Sequence, residues 1–152
     1  MIDRQPIRLA FRKRLQLNED LRWLLDAGQF ATENRDFTPP SVEIPRPSWI
    51  RETMVWGTEI RIANNLLEMI SVARYDVHHP YGRGVEVPEK LAQAIGNLFR
   101  PGTSSGDMME SGIQICVQRT WTMVGREASI NDKAWFQAPV NVQFRAYAPN
   151  LE

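Results

Sequence analysis

The chain has 152 residues, enough for one domain with a real core, and its 18 basic and 18 acidic side chains cancel. That balance leaves no global field to attract nucleic acid or an anionic membrane. The single cysteine, Cys116, excludes an internal disulfide, and no stretch approaches the roughly 20 apolar residues that span a bilayer. The N-terminus also lacks the apolar core of a signal peptide, so a reducing cytoplasm is expected.

Residues 3–27 read as helix. Asp3 can cap it, Pro6 suits a first turn, and Ile7, Ala10, Phe11, Leu17, Leu21, Leu24 and Leu25 recur at helical spacing before Gly28. Asn18-Glu19-Asp20 is a point where this segment can divide in two. Arg4, Arg8 and Arg12 fall one turn apart and form a basic stripe, either solvated or meeting acidic groups on a neighbouring subunit.

Pro39, Pro40, Pro45 and Pro47 make residues 36–47 a stiff extended connector, because proline fixes φ and donates no backbone hydrogen bond. A long hairpin is expected from Ser48 to His79. Its first arm carries Trp49, Ile50, Met54, Val55, Trp56, Ile60 and Ile62, with Gly57 as a bulge site. Asn64-Asn65 can supply the positive φ values of a type I′ turn. The return arm sets Leu67, Met69, Ser71, Ala73, Tyr75 and Val77 on one face. Arms that long exceed the usual five or six residues and would overhang a compact body.

A helix follows over Val87 to Phe99, with Leu91, Ala94, Ile95, Leu98 and Phe99 on one face and Pro101-Gly102 as its stop. That face should pack on Phe136, Val140 and Val142, or on Ile115 and Val117. Residues 102–112 read as a flexible loop. Ile113 to Met123 alternates as a half-exposed strand, 125–132 reads as a second loop, and Phe136 to Ala146 alternates as a last strand. The expected class is α+β. A mixed or antiparallel sheet of about four to five strands carries an N-terminal helix and one β–α–β helix.

Chemistry is hard to find. His78 and His79 follow Asp76, but neighbouring strand residues point to opposite faces and cannot chelate one ion, so they read as strand-end surface residues. Cys116, between Ile115 and Val117, reads as a buried, inert thiol. Gly82-Arg83-Gly84 lacks the remaining residues of a phosphate loop and reads as a turn. No nucleophile elbow or paired carboxylates appear, so no catalytic residue, metal or cofactor is expected.

The order of patterns is more telling. Arg74-Tyr75-Asp76-Val77 leads to Pro80-Tyr81-Gly82-Arg83-Gly84. Leu91-Ala92-Gln93-Ala94-Ile95 and Leu98-Phe99-Arg100-Pro101-Gly102 follow, and then Trp135-Phe136-Gln137-Ala138-Pro139-Val140 and Phe144-Arg145-Ala146. Upstream stand Phe37-Thr38-Pro39-Pro40 and Trp49-Ile50-Arg51. This run resembles the tail-terminator-like family of siphophages over about two-thirds of the chain, and departs from it between Pro40 and Ser71, which is longer. The resemblance implies a virion protein at the head–tail junction, assembled in the host cytoplasm. It implies a ring, commonly a hexamer, that caps the tail tube, meets the head connector and lets DNA pass without sequence-specific contact. A head-completion or neck protein, and a nucleic-acid-binding α/β domain, are the alternatives; the neutral charge disfavours the second. The hairpin's apolar residues need cover, so Met54, Trp56, Ile60, Ile62 and Leu66, with Arg4, Arg8 and Arg12, are the expected contacts with another subunit or the tube.

Overall fold

The computed structural model describes residues 1–102 and 108–149. Two helices open the chain, α1 (Arg4–Leu15) and α2 (Glu19–Asp26). Asp3 caps the first by accepting from the Gln5 N–H, and Asn18 caps the second by accepting from the Leu21 N–H. The helical segment therefore does divide at Asn18, and Gly28, at φ 75°, turns the chain out of α2.

Among the described residues, eight strands form one sheet: β1 (Phe30–Ala31), β2 (Trp49–Val55), β3 (Glu59–Ala63), β4 (Leu66–Pro80), β5 (Met109–Glu110), β6 (Ile113–Thr122), β7 (Arg126–Ile130) and β8 (Lys133–Pro149). The class is α+β as expected, but the sheet is larger than four to five strands. Its order is β1-β2-β4-β8-β6-β5, with β3 on β4 and β7 on β8, and only the β1–β2 pair is parallel. The third helix, α3 (Glu86–Leu98), joins β4 to the second half of the sheet. The expected loop over 102–112 lies partly outside the described residues, at 103–107, and its far end forms β5.

Two differences from the sequence reading concern β8 and its neighbours. The segment 125–132 is not a loop: Arg126–Ile130 pairs with Lys133–Gln137 through a tight turn at Asn131 and Asp132, both at positive φ. Asn64 and Asn65, where such a turn was expected, are not among the residues with positive φ. Their hairpin instead absorbs an extra residue at Ile62, between the pairs Arg61–Leu67 and Ala63–Leu66. The long β4 arm also does not overhang, because β8 runs beside it from Leu66–Pro149 to Pro80–Trp135.

Pro139 stands in the middle of this central strand, where a proline normally breaks a ladder. It sits at the handover from β6 to β7. Its carbonyl accepts from the Met123 N–H in the link between those strands, so no paired strand lacks a donor there.

The first hairpin arm hands over in the same way. β2 pairs with Val72–His78 of β4, and β3 pairs with Leu66–Met69. From Val55 to Glu59 the chain takes four steps while β4 takes three, so Gly57 does mark a bulge. Its N–H turns to the Ser71 hydroxyl at 2.9 Å, and a Cβ there would lie 1.8 Å from the Ile70 carbonyl oxygen. Only glycine fits that approach.

The helices cover one face of the sheet. Leu91, Ile95 and Phe99 are buried with Ile115, Val117, Val140, Val142 and Phe144, as the periodicity predicted, and Leu98 packs beside them. Phe99 stacks on Phe11 at 5.0 Å and on Tyr75 at 6.1 Å. The proline connector covers one end of the opposite face. Phe37 and Val42 pack there on Trp49, Trp135 and Ala31, and the Gln29 amide pins the connector by donating to the Arg46 and Ser48 carbonyls.

The histidines are not the surface residues expected. His78 is buried and stacks on Trp49 at 3.8 Å, and His79 Nδ1 lies 2.7 Å from the Ser48 hydroxyl. They do face opposite sides of β4. Cys116 is half-buried on β6 rather than buried. Gly82 and Gly84, at φ 85° and 84°, form the expected turn, which Arg83 ties to the Val42 carbonyl.

Candidate assembly surfaces

The residues expected at an interface divide into three groups. Met54 belongs to the core, on the helix-covered face of β2. Trp56 is partly buried against that core and lies under the guanidinium groups of Arg4 and Arg8, at 5.0 and 5.3 Å. Ile60 and Ile62 are 55% and 47% exposed, and Leu66 is half-buried across the turn from Ala63.

The arginine stripe is therefore engaged within its own chain, contrary to a solvated or wholly intersubunit face. Arg8 lies 3.9 Å from Glu33, and Arg12 lies 3.9 Å from Glu52 while also covering the Phe30 ring. Glu33 also accepts from the Met54 N–H. Arg8, Arg12, Glu33 and Glu52 line a polar cleft of about 470 Å³ between α1 and the segment after β1.

Glu52 is 1% exposed at the floor of that cleft. Burial raises its pKa above the ordinary carboxylate value, and the positive charge of Arg12 only partly offsets this. Tyr75, buried beside it, is pushed well above its ordinary value by burial first and by the Glu52 charge second. A raised carboxylate pKa means that the folded state holds the proton more tightly than the unfolded chain does. Stability from Glu52 is thus complete below about pH 4.5 and is lost as pH rises through the raised value. Glu52→Gln should remove this loss, whose slope cannot exceed ~1.4 kcal/mol per pH unit for one proton. Urea unfolding of both proteins between pH 4 and 7 checks it: the parent should fall relative to the variant as pH rises.

Beyond the polar cleft, exposed apolar groups gather at two places. Val55, Ile60, Ile62 and Ile70 form one patch where β2 gives way to β3. The other is a groove of about 760 Å³ between α3 and the β6–β7 link, with Met123 and Val124 exposed on its rim. Sequence reasoning missed this groove. Met123 was assigned to the alternation of β6, and nothing local announces that the strand ends at Thr122 and leaves the next two apolar residues uncovered. Among the described residues no group of three or more histidine, cysteine or acidic side chains could hold a metal ion. No described helix is long and apolar enough to cross a membrane.

Comparison with known proteins agrees with an assembly role. One solved structure has this fold at a TM-score of 0.65 and 19% identity, covering 96% of this chain and 96% of that one. A chain in the virion of a native gene transfer agent particle is more distant, at a TM-score of 0.48 and 13% identity over 93% of each chain, and bears no weight here. No curated protein matches the sequence. A family model described as phage tail terminator protein matches residues 6–144, nearly the whole chain. The chain belongs to the phage tail terminator family, a family of structural virion proteins.

Proposed function

We propose that the protein is a tail terminator that forms a closed ring, a hexamer in the simplest reading, on the end of the tail tube at the head–tail junction. The observation that carries the proposal is an exposed apolar corner, Val55, Ile60, Ile62 and Ile70, on a member of this family. Apolar surface left in water is unfavourable by about 25 cal/mol per Å². A patch held on a sheet edge by β4 and β8 is a contact awaiting a partner.

The mechanism is steric and thermodynamic. A ring multiplies contacts that are weak one at a time, because its copies engage the tube as a tethered set. Seated on the growing face, it offers the next tube subunit no surface like the one it covers. Its other face is left for the head connector, and DNA passes through the centre. A net charge of zero suits that passage, since little phosphate neutralisation holds the DNA in place.

Native mass spectrometry of the purified chain tests the ring. One discrete closed oligomer is expected. A chain that stays monomeric at high micromolar concentration, or that grows into an open-ended ladder, would contradict it.

A further inference from the structure

We infer that the polar cleft between α1 and the segment after β1 is a docking pocket for an acidic side chain of a partner protein, held by Arg8, Arg12 and Arg35. The pocket is independent of the ring reading: either can fail while the other stands.

Donors outnumber acceptors in this cleft. Its charged lining is Arg8, Arg12, Arg35, Glu33 and Glu52, three positive groups against two negative ones. The ion pairs Arg8–Glu33 and Arg12–Glu52 are both 3.9 Å long, beyond hydrogen-bond reach. Arg12 Nε is buried with no acceptor, and exposed Arg35 has no partner among the described residues. The acids present are already engaged. Glu33 accepts from the Met54 N–H, and Glu52 sits beside the Tyr75 hydroxyl below the cleft. Burial favours the neutral form of Glu52, which tips the lining further toward positive charge. A guest carboxylate supplies the acceptors that these guanidinium groups lack, in the planar, two-oxygen geometry that matches them.

Size and lining point to a protein guest. About 470 Å³ is far more than a bare ion needs. Gln5, Thr32 and Asn34 add neutral hydrogen-bonding groups, which suit the backbone on either side of an acidic residue. A phosphate backbone fits less well. It brings repeated charges past Glu33, and a net charge of zero does nothing to hold it. The walls are also set in place before a guest arrives. The Arg8 and Arg12 guanidinium groups lie over the Trp56 and Phe30 rings, and Asn34, at φ 56°, turns the facing segment. Little ordering entropy is then left for association to overcome.

Saturation-transfer NMR on the full chain tests the pocket. The probe is N-acetyl-glutamate N-methylamide, and the matching glutamine compound is its neutral control. Both are titrated at pH 7 and constant ionic strength. The glutamate probe should bind about tenfold more tightly, the margin of a charge-assisted hydrogen bond over a neutral one. Arg35→Gln changes an exposed residue and should leave the fold intact, as circular dichroism would check. It and Arg8→Gln should each weaken the glutamate probe about threefold. Glu52→Gln should bind at least as tightly as the parent, because it removes a negative charge from the floor. Equal binding of the two probes, or no loss in either arginine variant, would overturn the pocket. So would lost binding in Glu52→Gln, since the cleft would then be taking a hydrogen-bond donor. Tighter binding of dimethyl phosphate than of the glutamate probe would also overturn it and assign the cleft to nucleic acid.

Discussion

Phe99→Ala should cost ~3–5 kcal/mol of folding stability, the largest single loss expected from this chain. The ring is fully buried at the end of α3 and sits between Phe11 of α1 and Tyr75 of β4. Phe11 in turn packs on Phe144 of β8 at 4.8 Å. Removing Phe99 opens a cavity at the place where two helices and two central strands meet. Neighbours of that size, held in register by a sheet, cannot collapse into it. Chemical denaturation at pH 7 measures the loss, and a change of a few tenths of a kcal/mol would show that this face is not core.

Acid should expose the second weakness. Burial against Trp49 and the nearby Arg51 charge lower the His78 pKa from 6.5 to about 4, with Asp76 pulling the other way. His79 is lowered too, by burial and by Arg83. A depressed histidine contributes stability above the unfolded value of about 6.5 and loses it as pH falls toward 4. Between pH 7 and pH 5, His78 alone should remove ~2 kcal/mol. Glu52 works in the opposite sense, so the measurement is cleanest in the Glu52→Gln background. His78→Phe keeps a ring on Trp49 and should flatten most of the slope. Trp49 and Trp135, in edge-to-face contact at 5.8 Å, give the unfolding transition a fluorescence signal. A loss equally steep in His78→Phe would place its source elsewhere.

Local pattern carried much of this fold. The caps at Asp3 and Asn18, the stop at Gly28, the α3 face and the alternation of β4 and β8 all depend on residues within a few positions of one another. What escaped depended on distant chain. Arg8 and Arg12 find Glu33 and Glu52 only because β1 and β2 bring those acids under α1. The histidines are buried by chain about thirty residues upstream, His78 under the Trp49 ring and His79 against Ser48 on the other face. The Arg126–Ile130 strand is polar on its outward positions, and its turn is told apart from Asn64-Asn65 by register rather than by residue type. The candidate surfaces were half legible. Ile60 and Ile62 could be named from their place on a long arm, whereas the groove exists only once α3 and the β6–β7 link are side by side.

The central claim is that this chain stops a tube from growing, and tube length tests it most directly. Tail tube protein from the same phage is polymerised with and without a small molar fraction of this chain, and the filaments are sized by electron microscopy. The account predicts shorter tubes in proportion to the amount added, each with ring-shaped density at one end, and no shortening with the Ile60→Asp/Ile62→Asp variant. Tubes of unchanged length with bare ends would contradict it.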